Sequence, residues 1–156
     1  MDSFTEPHRT NGFAPIGSYA VLGDGRTVAL VARDGSVDWF PVSSLDGHPT
    51  FAGLLDAGGG GSFTLAPTEE FTVEREYVDG SNVLRTTFRT SGGCVRVTDS
   101  LNVGRAGRLP WTELARRVEW LEGTVALEWC IAPGRLIGPA RPIRGPGRTT
   151  GLRCSR

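Results

Sequence analysis

Residues 71–98 read FTVEREYVDGSNVLRTTFRTSGGCVRVT, a stretch in which apolar and polar side chains alternate. Phe71, Val73 and Tyr77 fall on one face of its first segment, and Arg75 interrupts that face. An Asp-Gly and a Gly-Gly dipeptide divide the stretch into three segments, and glycine favours such turns because it tolerates a positive φ. Side chains that repeat every two residues belong to half-buried strands. The stretch therefore predicts three antiparallel strands joined by tight turns.

Similar short segments flank this stretch on both sides. Upstream, apolar runs at residues 19–22, 27–32 and 36–40 are separated by glycine turns. Downstream, Gly123 separates two alternating segments, which favours a hairpin over the helix that the composition of residues 112–122 would also allow. About nine or ten strands result, and each can bury only one face, so two sheets must stack. The sequence predicts an all-β fold, an antiparallel two-sheet β-sandwich.

Length and composition agree with one small domain. The chain has 156 residues, with 22 glycines and 10 prolines that indicate many turns. No apolar segment of a secretory signal is visible in the first 16 residues, and no apolar run reaches the ~20 residues of a membrane-spanning helix. We expect a cytoplasmic protein with no membrane partner.

The charge is unevenly distributed along the chain. All 17 acidic residues lie between Asp2 and Glu128, and all 17 basic residues are arginines. Residues 134–156 carry six of these arginines and no aromatic residue, so they cannot bury enough apolar surface to offset the entropy of ordering. We therefore expect a flexible lead-in over 1–15, a sandwich over 16–133 and a basic, disordered tail over 134–156. Because the positive charge lies in that tail, we predict no nucleic-acid partner.

Few residues are candidates for chemistry. The three cysteines form no CxxC pair and the two histidines stand apart, so no metal site and no cofactor is predicted. Asp34, Asp38 and Asp46 are the candidates for a pair of glycosidase carboxylates, but aspartate before glycine is ordinary turn chemistry. We therefore predict no catalytic residue.

The tryptophans bear on sugar binding, because exposed aromatic rings stack on sugars. Trp120 and Trp129 share the parity of apolar neighbours and are predicted to be core residues. Trp39 follows Val37 at strand spacing, and Trp111 is the best candidate for an exposed ring. A stand-alone carbohydrate-binding module and a purely structural β-sandwich therefore both stay open as alternatives.

Residues 16–39, IGSYAVLGDGRTVALVARDGSVDW, carry a resemblance to a known family. They closely resemble the opening motif of the trehalase-like N-terminal domain of glycoside hydrolase family 15, of the bacterial glucoamylase and trehalase type. The similarity extends to about residue 133. Where the family often has Pro-Arg-Phe-Asp, this chain reads Ser43-Ser44-Leu45-Asp46, so the arginine is absent.

The resemblance implies a supersandwich-like domain that precedes an (α/α)₆ barrel, which holds the two catalytic glutamates of an inverting glycosidase. The chain ends before such a barrel, so we expect a non-catalytic accessory domain that is inactive alone. Its expected partner is the C-terminal (α/α)₆ catalytic domain, and its alternative ligand is an α-glucoside. Asp34, Asp38, Trp39 and Asp46 are the candidates for contact with the substrate or the domain interface. The break in composition after Pro133 leads us to expect a truncated or frame-shifted product.

Overall fold

The computed structural model describes residues 4–5, 9–42, 44–102, 112–135 and 143–147. These residues form strands, one 3₁₀ turn at Ile16–Ser18 and connecting loops. The strands, numbered in chain order, are β1 (Phe4–Thr5), β2 (Ala20–Gly23), β3 (Val28–Val31), β4 (Val37–Pro41), β5 (Pro49–Phe51), β6 (Gly61–Pro67), β7 (Phe71–Tyr77), β8 (Leu84–Thr90), β9 (Gly93–Asn102), β10 (Glu113–Gly123), β11 (Leu127–Pro133) and β12 (Ile143–Gly147).

The strands form two antiparallel sheets. The five-stranded sheet has the order β1-β7-β8-β9-β10. The seven-stranded sheet has the order β12-β11-β6-β4-β3-β2, and β5 pairs with β4 beside this path. The predicted all-β, two-sheet antiparallel architecture is confirmed. The described residues include no helix with the length and apolarity that a bilayer crossing requires.

The core lies between the sheets, where alternate side chains of each strand meet. Val73, Phe88 and Val97 of the five-stranded sheet are fully buried, as the alternation predicts. Phe88 packs edge-on against Phe71, with their ring centroids 5.1 Å apart. Leu22 and Val31 belong to a second buried cluster supplied largely by the seven-stranded sheet. Burial of these faces provides the main stabilisation of the fold.

Both ends of the described chain join the sheets. Strand β1 pairs with β7, although residues 1–15 were expected to be a flexible lead-in. Strand β12 lies within the segment that was expected to be a disordered tail, and its five residues pair with β11. The rest of that segment, apart from Gly134 and Arg135, lies outside the described residues. Residues 113–123 form β10, so the strand interpretation rather than the helix alternative is confirmed there.

A β-bulge interrupts β4 at Asp38, one of the candidate site residues. Leu30 of β3 pairs with Trp39, but the next residue, Val31, pairs with Val37. Asp38 is therefore the extra residue on β4, and the alternation of faces breaks at this point. As a result Val37 and Phe40 both enter the core cluster, although their spacing along a regular strand would place them on opposite faces.

Candidate functional site

The turn between β3 and β4 brings the first two predicted site residues together. The Gly35 N–H donates to the Ala32 carbonyl at 3.1 Å, and the Ala32 N–H donates to the Ser36 carbonyl at 2.8 Å. The Asp34 carboxylate accepts the Ser36 N–H at 3.1 Å, which is the local capping expected of aspartate in a turn. Asp34 thus stands at the tip of the turn, while Asp38 follows on the bulged strand.

One guanidinium joins the two carboxylates. Arg9 Nε lies 2.6 Å from Asp34 Oδ2, and Arg9 Nη2 lies 3.2 Å from Asp34 Oδ1. The same Nη2 donates to Asp38 Oδ2 at 2.9 Å. Arg9 Nη1 donates to the Gly12 carbonyl at 3.0 Å, which folds the preceding segment around the side chain. Arg9 therefore fastens the N-terminal segment to the beginning of β4.

Asp38 is saturated with donors. Its side chain is 1% exposed. Besides Arg9, the Tyr19 hydroxyl donates to Asp38 Oδ2 at 2.7 Å, and the Ser36 hydroxyl donates to Asp38 Oδ1. A buried carboxylate needs such compensation, because an unpaired buried charge is costly. We call Arg9, Tyr19, Asp34, Ser36 and Asp38 the Arg9 cluster.

The surroundings of the Arg9 cluster raise the pKa values of Tyr19 and Arg9. Burial raises the pKa of Tyr19 well above its ordinary value, and the hydrogen bond to Asp38 and the charge of Asp38 raise it further. Burial works to lower the pKa of Arg9, but the hydrogen bond and charge of Asp34, with those of Asp38, outweigh it and raise that pKa. Arg9 is therefore charged and Tyr19 neutral at every physiological pH.

The hydroxyl of Tyr19 is expected to ionise only at a pH well above that of an ordinary tyrosine. Because the carboxylate of Asp38 disfavours a neighbouring phenolate, Asp38→Asn should lower the pKa of Tyr19 toward the ordinary value of about 10. Absorbance near 295 nm, followed from about pH 8 to about pH 12, measures this ionisation. Tyr19→Phe identifies the signal by removing it. An unchanged late ionisation in Asp38→Asn would show that the carboxylate does not control it.

The four sequence candidates do not form one group. Asp34 and Asp38 both belong to the Arg9 cluster, where Arg9 contacts both carboxylates. Trp39 is half-buried and pairs with Leu30 across the sheet. Asp46 is exposed in the loop after β4, where a hydrogen bond from Ser44 lowers its pKa. Within the described chain, neither Trp39 nor Asp46 hydrogen-bonds to the cluster.

Three members of the cluster were missed from the sequence. Arg9 lies in the segment assigned to the lead-in, and Tyr19 and Ser36 were each predicted only as the first residue of a strand. Ser36 had a usable signal, since a hydroxyl two residues from an aspartate in a strand can reach the same carboxylate. Arg9 had none, because its partners are 25 and 29 residues away in sequence.

The tryptophans differ in how far they are buried. Trp129 is partly buried and packs against the core cluster that contains Phe88, as predicted. Trp120 is half-buried, and its ring N–H donates to the Gly123 carbonyl. Trp111 lies outside the described residues. Across the described ranges no group of three histidine, cysteine, aspartate or glutamate residues is placed to hold a metal ion.

The chain matches a known domain family and several trehalases. The family described as "Trehalase-like, N-terminal" matches residues 10–133. Trehalase of Mycolicibacterium smegmatis is 36% identical over 112 residues, which are 71% of this chain and 16% of that protein. Trehalase 1 of Sulfolobus acidocaldarius is 36% identical over 133 residues, 85% of this chain and 21% of the relative. Trehalase of Thermoplasma volcanium is 29% identical over 135 residues, covering 85% and 22% respectively.

The matches cover most of this chain but only a small part of each trehalase. The chain spans between 16% and 22% of the length of these three relatives. No solved structure matches it significantly. The family match covers strands β2 to β11 and the β3–β4 turn, and it therefore includes every member of the Arg9 cluster except Arg9. The chain therefore belongs to the trehalase-like N-terminal domain family.

Proposed function

We propose that this chain is the non-catalytic accessory domain at the N-terminal end of a glycoside hydrolase of the family-15 type. The hydrolysis of α-glucosidic bonds, in trehalose or maltooligosaccharides, belongs to a separate C-terminal (α/α)₆ domain. The named trehalases support this role, because they match the chain over only 16–22% of their length. Most of each relative therefore lies outside the region that the chain resembles.

The geometry of the Arg9 cluster carries the non-catalytic part of the proposal. An inverting pair of carboxylates must leave room for a water between them, and a general base must reach that water with a free oxygen. Here the Arg9 guanidinium fills the space between Asp34 and Asp38. Asp38 is also buried and accepts from Tyr19 and Ser36. A cluster with its lone pairs committed in this way serves structure better than proton transfer.

Exposed apolar side chains around the cluster support an interface at this place. Ile16, which is 84% exposed, begins the 3₁₀ turn that leads to Tyr19. Leu55, which is 69% exposed, follows Leu54, whose N–H donates to the Asp38 carbonyl at 3.1 Å. Exposed apolar side chains on segments that adjoin the cluster are available for contact with a partner. We therefore propose that the contact with the catalytic domain includes this surface. Asp34, Trp39 and Asp46 are its candidates for direct contact, whereas the buried Asp38 would act by holding Arg9 and Tyr19.

A glucose-release assay tests whether the chain is catalytic. The purified chain, incubated with trehalose and separately with maltose, is expected to release no more glucose than a heat-denatured sample. Asp38→Asn serves as the matched variant, because a true carboxylate catalyst would lose its activity there. Release above background that disappears in Asp38→Asn would overturn the assignment.

A chimera tests the accessory role directly. We expect the Mycolicibacterium smegmatis trehalase to lose most of its activity when its matched region is deleted, and to regain a measurable part when residues 10–133 of this chain replace that region. A deletion variant with full activity, or a folded chimera as inactive as the deletion, would contradict the role. Calorimetric titration of the isolated chain with trehalose and maltose tests the alternative that the chain is a carbohydrate-binding module, which measurable binding of either sugar would support.

The cytoplasmic location stays a prediction that cell fractionation tests.

A further inference from the structure

The loop between β5 and β6, residues 52–60, binds the chain where it leaves β11. Gly134, the first residue after β11, donates its N–H to the Thr50 carbonyl of β5 at 2.8 Å. The next residue, Arg135, donates its N–H to the Gly59 carbonyl of the loop at 3.0 Å. Gly134 is buried and Arg135 is exposed. Two consecutive backbone groups beyond the end of β11 are therefore bound to the rest of the domain.

This attachment depends on glycine on both sides of the contact. A Cβ added to Gly134 would overlap the carbonyl oxygen of Gly60, and a Cβ added to Gly60 would overlap the carbonyl oxygen of Ala52. In both cases the obstacle is backbone, which cannot rotate away as a side chain can. Glycine is the residue that lets two backbones approach this closely. The outgoing chain therefore lies directly against the backbone of the loop.

The β5–β6 loop is held in shape by Asp56. Its Oδ1 accepts the N–H groups of Gly58 and Gly59 at 3.0 and 2.9 Å. Its backbone carbonyl accepts the Gly60 N–H at 2.8 Å. An aspartate that accepts from backbone groups two and three residues further on fixes the turn between them. The Gly59 carbonyl that binds Arg135 thus belongs to an ordered loop.

The same loop reaches the Arg9 cluster. Leu54 donates its N–H to the Asp38 carbonyl at 3.1 Å, and Gly53 donates its N–H to the carbonyl of Gly61, the first residue of β6, at 3.0 Å. Leu55, the exposed apolar residue already assigned to the surface for the catalytic domain, follows directly. The outgoing chain and that surface therefore meet at one loop.

We propose that the β5–β6 loop anchors the chain as it leaves the sandwich, and thereby fixes where a following catalytic domain is attached. This role rests on the proposed function, in which a catalytic domain follows the matched region. The family match ends at Pro133, directly before Gly134 and Arg135. A connection that starts from a fixed point has fewer conformations to lose when the two domains come into contact, so the anchor favours that contact.

Amide hydrogen exchange of the whole chain, followed by NMR, tests the anchor. We expect the Arg135 N–H to exchange at least about tenfold more slowly than in an unstructured peptide, because it is hydrogen-bonded. Gly134→Ala should abolish this protection, since the new Cβ pushes the outgoing chain away from Gly60. Gly58→Ala is the matched control, because a Cβ there meets only the Asp56 carboxylate, at an ordinary 3.7 Å, and should leave the exchange of Arg135 unchanged.

Asp56→Ala provides a second test that leaves Gly134 intact. Without the carboxylate the loop loses two hydrogen bonds, so the Arg135 N–H should exchange faster than in the wild type. The amide of Phe88, a core residue of the central strand β8, should exchange slowly in every variant and reports that the domain is folded. An unprotected Arg135 in the wild type, or equal protection in the wild type and a folded Gly134→Ala, would overturn the anchor.

The chimera with Mycolicibacterium smegmatis trehalase, extended to residues 10–135 of this chain, tests the consequence for the catalytic domain. Gly134→Ala should lower its release of glucose from trehalose several-fold with an unchanged midpoint of unfolding, whereas Gly58→Ala should leave the activity unchanged. Full activity of the Gly134→Ala chimera would overturn the role of the anchor in attaching that domain. An inactive unmodified chimera would instead contradict the proposed function, and the exchange experiment decides the anchor independently of it.

Discussion

Replacing Asp99 with alanine is expected to lower the free energy of unfolding by about 3–5 kcal/mol. Asp99 on β9 accepts two hydrogen bonds from Arg116 on β10, at 2.8 and 3.2 Å. The two side chains are 0% and 3% exposed. Without Asp99, the Arg116 guanidinium remains buried without a counter-charge, which costs far more than the lost contact.

Arg116 also links the two sheets, which adds to the expected loss. Its Nη1 donates to the Phe63 carbonyl on β6 at 3.1 Å, and its guanidinium lies 4.8 Å from the centroid of the Phe63 ring. Strand β6 belongs to the seven-stranded sheet, whereas β10 belongs to the five-stranded one. If Arg116 shifts toward water after the loss of Asp99, it disturbs the contact between the sheets.

Urea unfolding measures the effect, and two matched variants interpret it. Arg117→Ala removes an exposed arginine of the same strand and should cost less than about 1 kcal/mol. The double variant Asp99→Leu with Arg116→Met removes both charges together and should recover most of the stability, because no buried charge is then left unpaired. If the double variant is as unstable as Asp99→Ala, packing around the pair rather than the uncompensated charge explains the loss.

The sequence pattern contained part of this interaction. Asp99 shares the parity of Val95 and Val97, and Arg116 shares that of Leu114, so alternation alone places both side chains toward the interior. Their pairing depends on the register that sets Arg116 opposite Asp99. Residues 103–112 separate the two strands in sequence, and a connection of this length does not set the register from local pattern alone. Local pattern therefore predicts the face of a residue but not its partner across such a connection.

At the candidate site, too, the local sequence pattern predicted the elements but not the long-range contacts. The sequence predicted a turn at Asp34-Gly35 and a strand from Ser36 to Phe40, which are the two elements that carry Asp34 and Asp38. The bulge at Asp38 was not predictable, because nothing in the β4 sequence marks an extra residue opposite Val31. The partners of Arg9 could not be predicted either, because an arginine in an irregular segment can pair with any carboxylate that the tertiary structure brings near. The missing information in both cases is long-range geometry.

Replacing Gly35 with alanine should destabilise the domain by about 3 kcal/mol or more. Gly35 has φ +80°, a conformation that costs other residues about 1–2 kcal/mol. A Cβ at this position would also overlap the backbone oxygen of Leu65 on β6 and approach the Phe88 ring to 3.2 Å. Because the obstacle is backbone and a core ring, the β3–β4 turn or strand β6 must move, which adds an overpacking cost of about 1–3 kcal/mol.

Two other glycines separate the contributions to this loss. Gly25→Ala has the same backbone problem at φ +85° but meets nothing within 4 Å, so it should cost only the conformational part. Gly17→Ala has an ordinary φ and meets nothing within 4 Å, so its effect should be close to zero. We expect the midpoint of urea unfolding to fall in the order Gly17→Ala, Gly25→Ala, Gly35→Ala.

The Gly35 variant also connects the fold with the Arg9 cluster. Asp34 and Ser36 flank Gly35, so a displaced turn would move both away from Arg9 and Asp38. The folded fraction of Gly35→Ala should therefore show an earlier Tyr19 ionisation than the wild type, whereas Gly25→Ala should not. Equal stability of the Gly35 and Gly25 variants would mean that the turn moves freely against β6, and the cluster could not then be held by the packing of this turn.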